Sequence, residues 1–167
     1  MRVIAIDPAV RSTGVAVLEH GDGGIRAIHH GVIKLPAKLP QSRCLVSIRD
    51  HLADLVREHT PEECAVEAII YVQSHRTAIT MGAARGAAIL ACAEHGLPIY
   101  EYAPKRVKQA VVGRGSAAKS QVAFMMRALL KLRETPSADA GDALAIGYAH
   151  LQASSGQHPE HARGEQV

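Results

Sequence analysis

The chain has 167 residues, 47% of them hydrophobic, and a formal net charge of +3. It is expected to form one domain that buries roughly 70% of its unfolded surface, which excludes general disorder. No apolar run reaches membrane length, so a membrane partner is excluded as well.

Val3-Ile4-Ala5-Ile6 is an apolar strand ending at Asp7, and a second strand covers 14–19. The run His20-Gly21-Asp22-Gly23-Gly24 makes a hairpin turn into a third strand over 25–34. Leu45, Ile48, Leu52, Leu55 and Val56 recur at helical spacing and predict a helix over 41–58. A fourth strand over 63–67 ends in Glu67. The second helix, 77–95, stops at Gly96, and Pro98–Tyr102 is a fifth strand. Pro104 opens a short helix over 104–112. The next helix, 117–133, takes Ser116 as its cap and carries the lone phenylalanine, Phe124, toward the core. Ser137 caps a last helix over 138–152. The polar residues 154–167 predict a disordered tail after a nuclease domain over 1–153. This order predicts an α/β fold, a five-stranded mixed sheet with helices on both faces.

Four acids stand out in that frame. Asp7 and Glu67 end apolar strands, where a carboxylate is costly unless a cation meets it. Asp139 and Asp142 lie three apart at the start of the last helix. Three have a plainer reading alone, since Asp7 before Pro8 starts a turn and the two helix acids complement the macrodipole, whereas Glu67 is the one charge in Ala65–Ile70 and is harder to dismiss. Together, on one sheet edge, they suit two Mg2+ or Mn2+ ions per active site and phosphodiester hydrolysis.

Charge is unevenly spread. No acid occurs between Ala103 and Arg133, a stretch that holds Lys105, Arg106, Lys108, Arg114, Lys119, Arg127, Lys131 and Arg133. A solvated helix face is the ordinary source of such a run; beside an acidic metal site it suits the holding of nucleic-acid phosphates. Cys44, Cys64 and Cys92 are odd in number and scattered, which suits reduced core thiols in a cytoplasmic protein. The N-terminus enters a strand at once, without a signal-like segment.

The segments Ile6-Asp7-Pro8 with Gly14, Val66-Glu67, Met81–Gly86, Tyr102–Gln109, Lys119–Val122 and Ala138–Ile146 occur in one order across residues 2–152. In this ordered set the chain resembles the bacterial RuvC-type Holliday junction resolvases. The resemblance implies a ribonuclease H-like fold and a homodimer bound to four-way junction DNA. It also implies paired symmetric cuts and a branch-migration motor complex of RuvA and RuvB type as partner. It implies that Asp7, Glu67, Asp139 and Asp142 are metal ligands, with Lys119 as the active-site lysine and Lys108 as a DNA-handling position. Where the family often carries a stacking aromatic after the strand-end glutamate, this chain has Ile70, followed by Tyr71. These two, with Arg76, Lys105, Lys108, Arg114 and Lys119, are the expected DNA contacts. Gly141 stands where alanine is commoner. A ribonuclease H acting on RNA–DNA hybrids shares the acids, and a junction-binding protein without activity shares the surface. An actin-like sugar kinase would need a second lobe.

Overall fold

The computed structural model describes residues 1–70, 74–156 and 163–167. Among these, strands β1 (Arg2–Asp7), β2 (Ser12–Gly21), β3 (Gly24–Lys34), β4 (Glu63–Glu67), β5 (Ile99–Tyr102) and β6 (Glu165–Gln166) form one sheet in the order β3-β2-β1-β4-β5-β6. The helices are α1 (Gln41–His59), α2 (His75–Ala93), α3 (Pro104–Val112), α4 (Lys119–Leu129) and α5 (Ala138–Ser154). β1 runs antiparallel to β2 and parallel to β4, which is parallel to β5.

The continuous apolar runs mark the strands covered on both faces. Val3, Ile4, Ala5 and Ile6 are fully buried, as are Ala65 and Val66. On one face α1 lays Cys44, Ile48, Leu52 and Val56 at helical spacing against the sheet, with α2 beside it. On the other, α5 packs with α3 and α4 over Val3, Ala5, Ala16 and Leu18. α5 lies close because it presents small residues: a Cβ at Gly147 would come within 2.5 Å of Leu18 Cδ1 and 3.0 Å of Ala5 Cβ. The three cysteines are buried and free. No helix among the described residues is long and apolar enough to cross a membrane.

Several expectations change. The sheet has six strands, not five, and the sixth comes from the segment read as a tail. Gln166 pairs with Tyr100 and Glu165 with Glu101, and Arg163 is ion-paired to Glu63 and lies over the Tyr100 ring, 4.3 Å from its centroid. Composition gave no hint of these pairings, because they are made with distant residues. Phe124 is 62% exposed, since the buried face of α4 carries Val122, Ala123 and Met126. α4 starts later than expected, with Ala118 at its N-cap; Gln121 Oε1 accepts from the Ala118 amide at 2.9 Å, so Ser116 is not the cap. It ends early because Lys131 turns left-handed, at φ 53°. Ser137 stands at the N-cap of α5 without a side-chain cap bond.

Candidate active site

Asp7 and Glu67 are adjacent because β1 and β4 are parallel and in register, Ile6 opposite Val66. Each acid is the last residue of its strand, so both side chains emerge at one sheet edge. Across β1, Asp7 pairs with Gly14 of β2. A Cβ at Gly14 would run into the carbonyl oxygen of Asp139 and lie 3.5 Å from Ala143 Cβ. Only a residue without a side chain lets the first turn of α5 settle here, and that turn brings Asp139 and Asp142 to the strand ends.

The electrostatics follow from this crowding. Burial, then the charge of Asp142, pushes the Asp7 carboxyl up to about 6. Burial and the neighbouring charge of Asp7 push Glu67 up to about 7. One cation answers them: Lys119 Nζ donates to Asp142 Oδ2 at 2.6 Å, and this bond raises the lysine's own pKa. Asp139 is held differently, its Oδ2 accepting from Ser12 Oγ at 2.5 Å. With two acids tied to neighbours, no three His, Cys, Asp or Glu side chains among the described residues close on one point as a formed metal cage. The donor set nonetheless fits a hard divalent ion: all its members are carboxylates, and burial together with the neighbouring acids raises two of them, to about 6 and about 7, which a bound cation would offset.

The expected DNA contacts divide. Ile70 is 67% exposed, and it lines a cavity of about 400 Å3 with Glu67, Met81 and Lys105. Ile70 and Lys105 therefore flank the acids. Arg114 is on the same flank, because the next residue, Gly115, packs against the Lys105 backbone. Arg76 is exposed in the first turn of α2 and Lys108 half-buried in α3; among the described residues no hydrogen bond or ion pair joins either to the acids. Tyr71 lies outside the described residues. Ser12 was missed by sequence reasoning. Thr13 was too; it is fully buried, and its Oγ1 donates to the Ala9 carbonyl at 2.6 Å, bracing the loop after Asp7. A hydroxyl pair just before the glycine that faces Asp7 was the available signal.

A mixed sheet whose two central strands end in acids, met by two more from a helix, defines a ribonuclease H-like α/β protein with a nuclease-type acidic edge. Residues 3–150 match the family model described as crossover junction endodeoxyribonuclease RuvC. The RuvC of Akkermansia muciniphila is 59% identical over 151 residues, 90% of each chain. That of Halorhodospira halophila is 44% identical, over 89% of each. The Thermus thermophilus RuvC solved in complex with a Holliday junction substrate superposes with a TM-score of 0.86 at 29% identity, over 100% of both chains. The chain belongs to the RuvC family of crossover junction endodeoxyribonucleases.

Proposed function

We propose that this chain resolves four-way DNA junctions by hydrolysing one phosphodiester in each of two strands of like polarity. Asp7, Glu67, Asp139 and Asp142 would hold two divalent ions, Mg2+ or Mn2+. The observation that carries the reading is the gathering of four acids and one lysine at the ends of β1 and β4, where two carboxyls are raised to about 6 and about 7. A pair of bound ions supplies an activated water and stabilisation of the leaving 3′ oxygen. The chain's own residues do the positioning. Strand ends hold Asp7 and Glu67 rigidly, and Ser12 orients Asp139. Lys119 uses one N–H on Asp142 and has two more for a phosphate oxygen on its exposed side. Ile70 and Lys105 at the rim suit an apolar wedge and a phosphate contact at the branch point.

Two symmetric cuts call for a two-fold enzyme. On α2, Ile79 and Leu90 are exposed, and a Cβ at Gly82 or Gly86 would meet nothing within 4 Å. With Val46 of α1 and Ala83 this face borders a depression of about 420 Å3. A second copy's helix can approach closely there, and a homodimer through α2 is part of the proposal. The branch-migration motor of RuvA and RuvB type is the further partner it implies, in the cytoplasm.

The test offers four-way, Y-shaped and RNA–DNA hybrid substrates with Mg2+ and with EDTA. Paired junction cuts in Mg2+ and intact junction binding in EDTA are the expected result. Preference for the hybrid would make the chain a ribonuclease H-type nuclease instead, and junction binding without cleavage in Mg2+ would leave it a junction-binding protein.

A further inference from the structure

A trough of about 700 Å3 lies between β3 and the connection from α4 to α5. One wall is the face of β3 carrying His30, Val32 and Lys34; the other includes Arg133, Thr135 and Ser137. It starts beside the acids. Lys34 is paired in register with Ser12, the residue whose hydroxyl holds Asp139, and Ala140, next to Asp139, lines the trough. Neighbouring strands are about 4.8 Å apart, so Lys34 stands one strand's width from the residue that anchors this acid.

The charges there have no internal use. Lys34 and Arg133 are both exposed, and neither forms an ion pair or side-chain hydrogen bond among the described residues. Arg26, farther along the same strand, is by contrast paired to Glu19. Glu134 is the one acid on the walls. The same connection continues past Lys131 along the start of β3, where a second depression of about 390 Å3 adjoins. β3 has 11 residues, and at about 3.4 Å each they span the length of about ten base pairs. The residues that line the trough itself include cations and hydroxyls and no Phe, Tyr or Trp, which suits a sugar–phosphate backbone and not stacked bases.

We propose that the trough between β3 and the α4–α5 connection holds the phosphate backbone of a duplex arm as it leaves the acidic edge, with Lys34 and Arg133 as its contacts. The inference rests on the junction-cutting function and adds a DNA surface on the side of the acids away from Ile70 and Lys105.

The experiment measures junction affinity in EDTA across a salt series for wild type, for Lys34→Gln with Arg133→Gln, and for Arg43→Gln with Arg57→Gln on α1, two exposed positions away from the α2 depression. Both pairs lower net charge equally, but α1 lies on the opposite sheet face. Each lost phosphate contact reduces the slope of log affinity against log salt by about 0.9. The trough pair should lose about 1.8, so that a fourfold rise in salt costs wild type about twelvefold more affinity than this variant. The α1 pair should keep the wild-type slope. An unchanged slope for the trough pair, or the same loss in both pairs, overturns the proposal. The series is repeated on linear duplex. If wild type fails to prefer the junction, the junction-cutting reading falls, while the slope difference on duplex still decides the trough.

Discussion

Strand β4 begins and ends with a glutamate, and the two keep opposite company. Glu63 meets cations and donors. Burial pushes its carboxyl up, but hydrogen bonds from Arg163 and His150 outweigh that and hold it below the usual range. His150 is fully buried, accepts from the Tyr102 hydroxyl at Nδ1 over 2.9 Å, and donates from Nε2 to Glu63 over 2.7 Å. Glu67, four residues on, meets acids, and its carboxyl is pushed to about 7. The same residue type on one strand is matched by cations at one end and crowded by acids at the other. Unmatched charge is costly to folding, and this fold concentrates it at the edge where a divalent ion and a phosphate would meet.

The sharpest way to break the contrast is Asp7→Asn. Cleavage should drop about a thousandfold, as for loss of a principal electrostatic group. Junction binding in EDTA should be retained or tighter, because a charge that repels phosphate is gone; a gel shift that shows lost binding by folded protein would defeat the assignment. At the other end, Arg163→Ala should cost about 1–3 kcal/mol in denaturant unfolding, the range for breaking a charge-assisted hydrogen bond. Its cleavage rate well below the melting temperature should match wild type.

A pH series separates the two ends further. Unfolded carboxyls release their protons near pH 4, whereas folded Asp7 and Glu67 keep theirs to about 6 and about 7. Between those values the folded state binds more protons, so stability in EDTA should fall as pH rises from about 4 to 8. Added Mg2+ should flatten that fall, and thermal melts at each pH read it directly. Glu63 has the opposite sign: its contribution is present above its unfolded pKa and lost as pH falls through its lower folded value. The smallest effect concerns the helix that carries the last two acids. A Cβ at Gly141 would sit 3.4 Å from Ala123 Cβ, an ordinary contact. Gly141→Ala should therefore raise stability by up to about 1 kcal/mol and leave cleavage within a fewfold of wild type.

The acidic end was legible and the matched end was not. Apolar runs that stop at Asp7 and Glu67 mark central strands with charged tips, and the spacing of Asp139 and Asp142 puts both near one helical turn. Gly14 was visible within a motif, but its reason, the contact with Asp139, needs the packed helix. Arg163, Glu63 and His150 carry no local pattern at all. They are far apart in the chain and meet only once α5 and β6 have docked. Phe124 misled for a related reason: a lone aromatic in a helix suggests a core position, but only the phase of Val122, Ala123 and Met126 says which face is inside. Ser12 lay beside a recognised glycine, and a hydroxyl next to a crowded acid is a cue that sequence can offer.

The short β6 also bears on how the protein behaves in solution. A sheet's outermost strand offers unpaired amides and carbonyls on which another chain can build. β3, at one edge, carries Arg26 and Lys34 and an irregular register opposite Val17 and Leu18, features that discourage such pairing. Toward the other edge, β5 has only four residues, and the outermost strand, β6, covers Tyr100 and Glu101. A chain shortened to end before Arg163 would expose that edge together with the Tyr100 ring. Self-association through β5 is then the expected failure, seen as turbidity on concentration while the acidic edge stays intact.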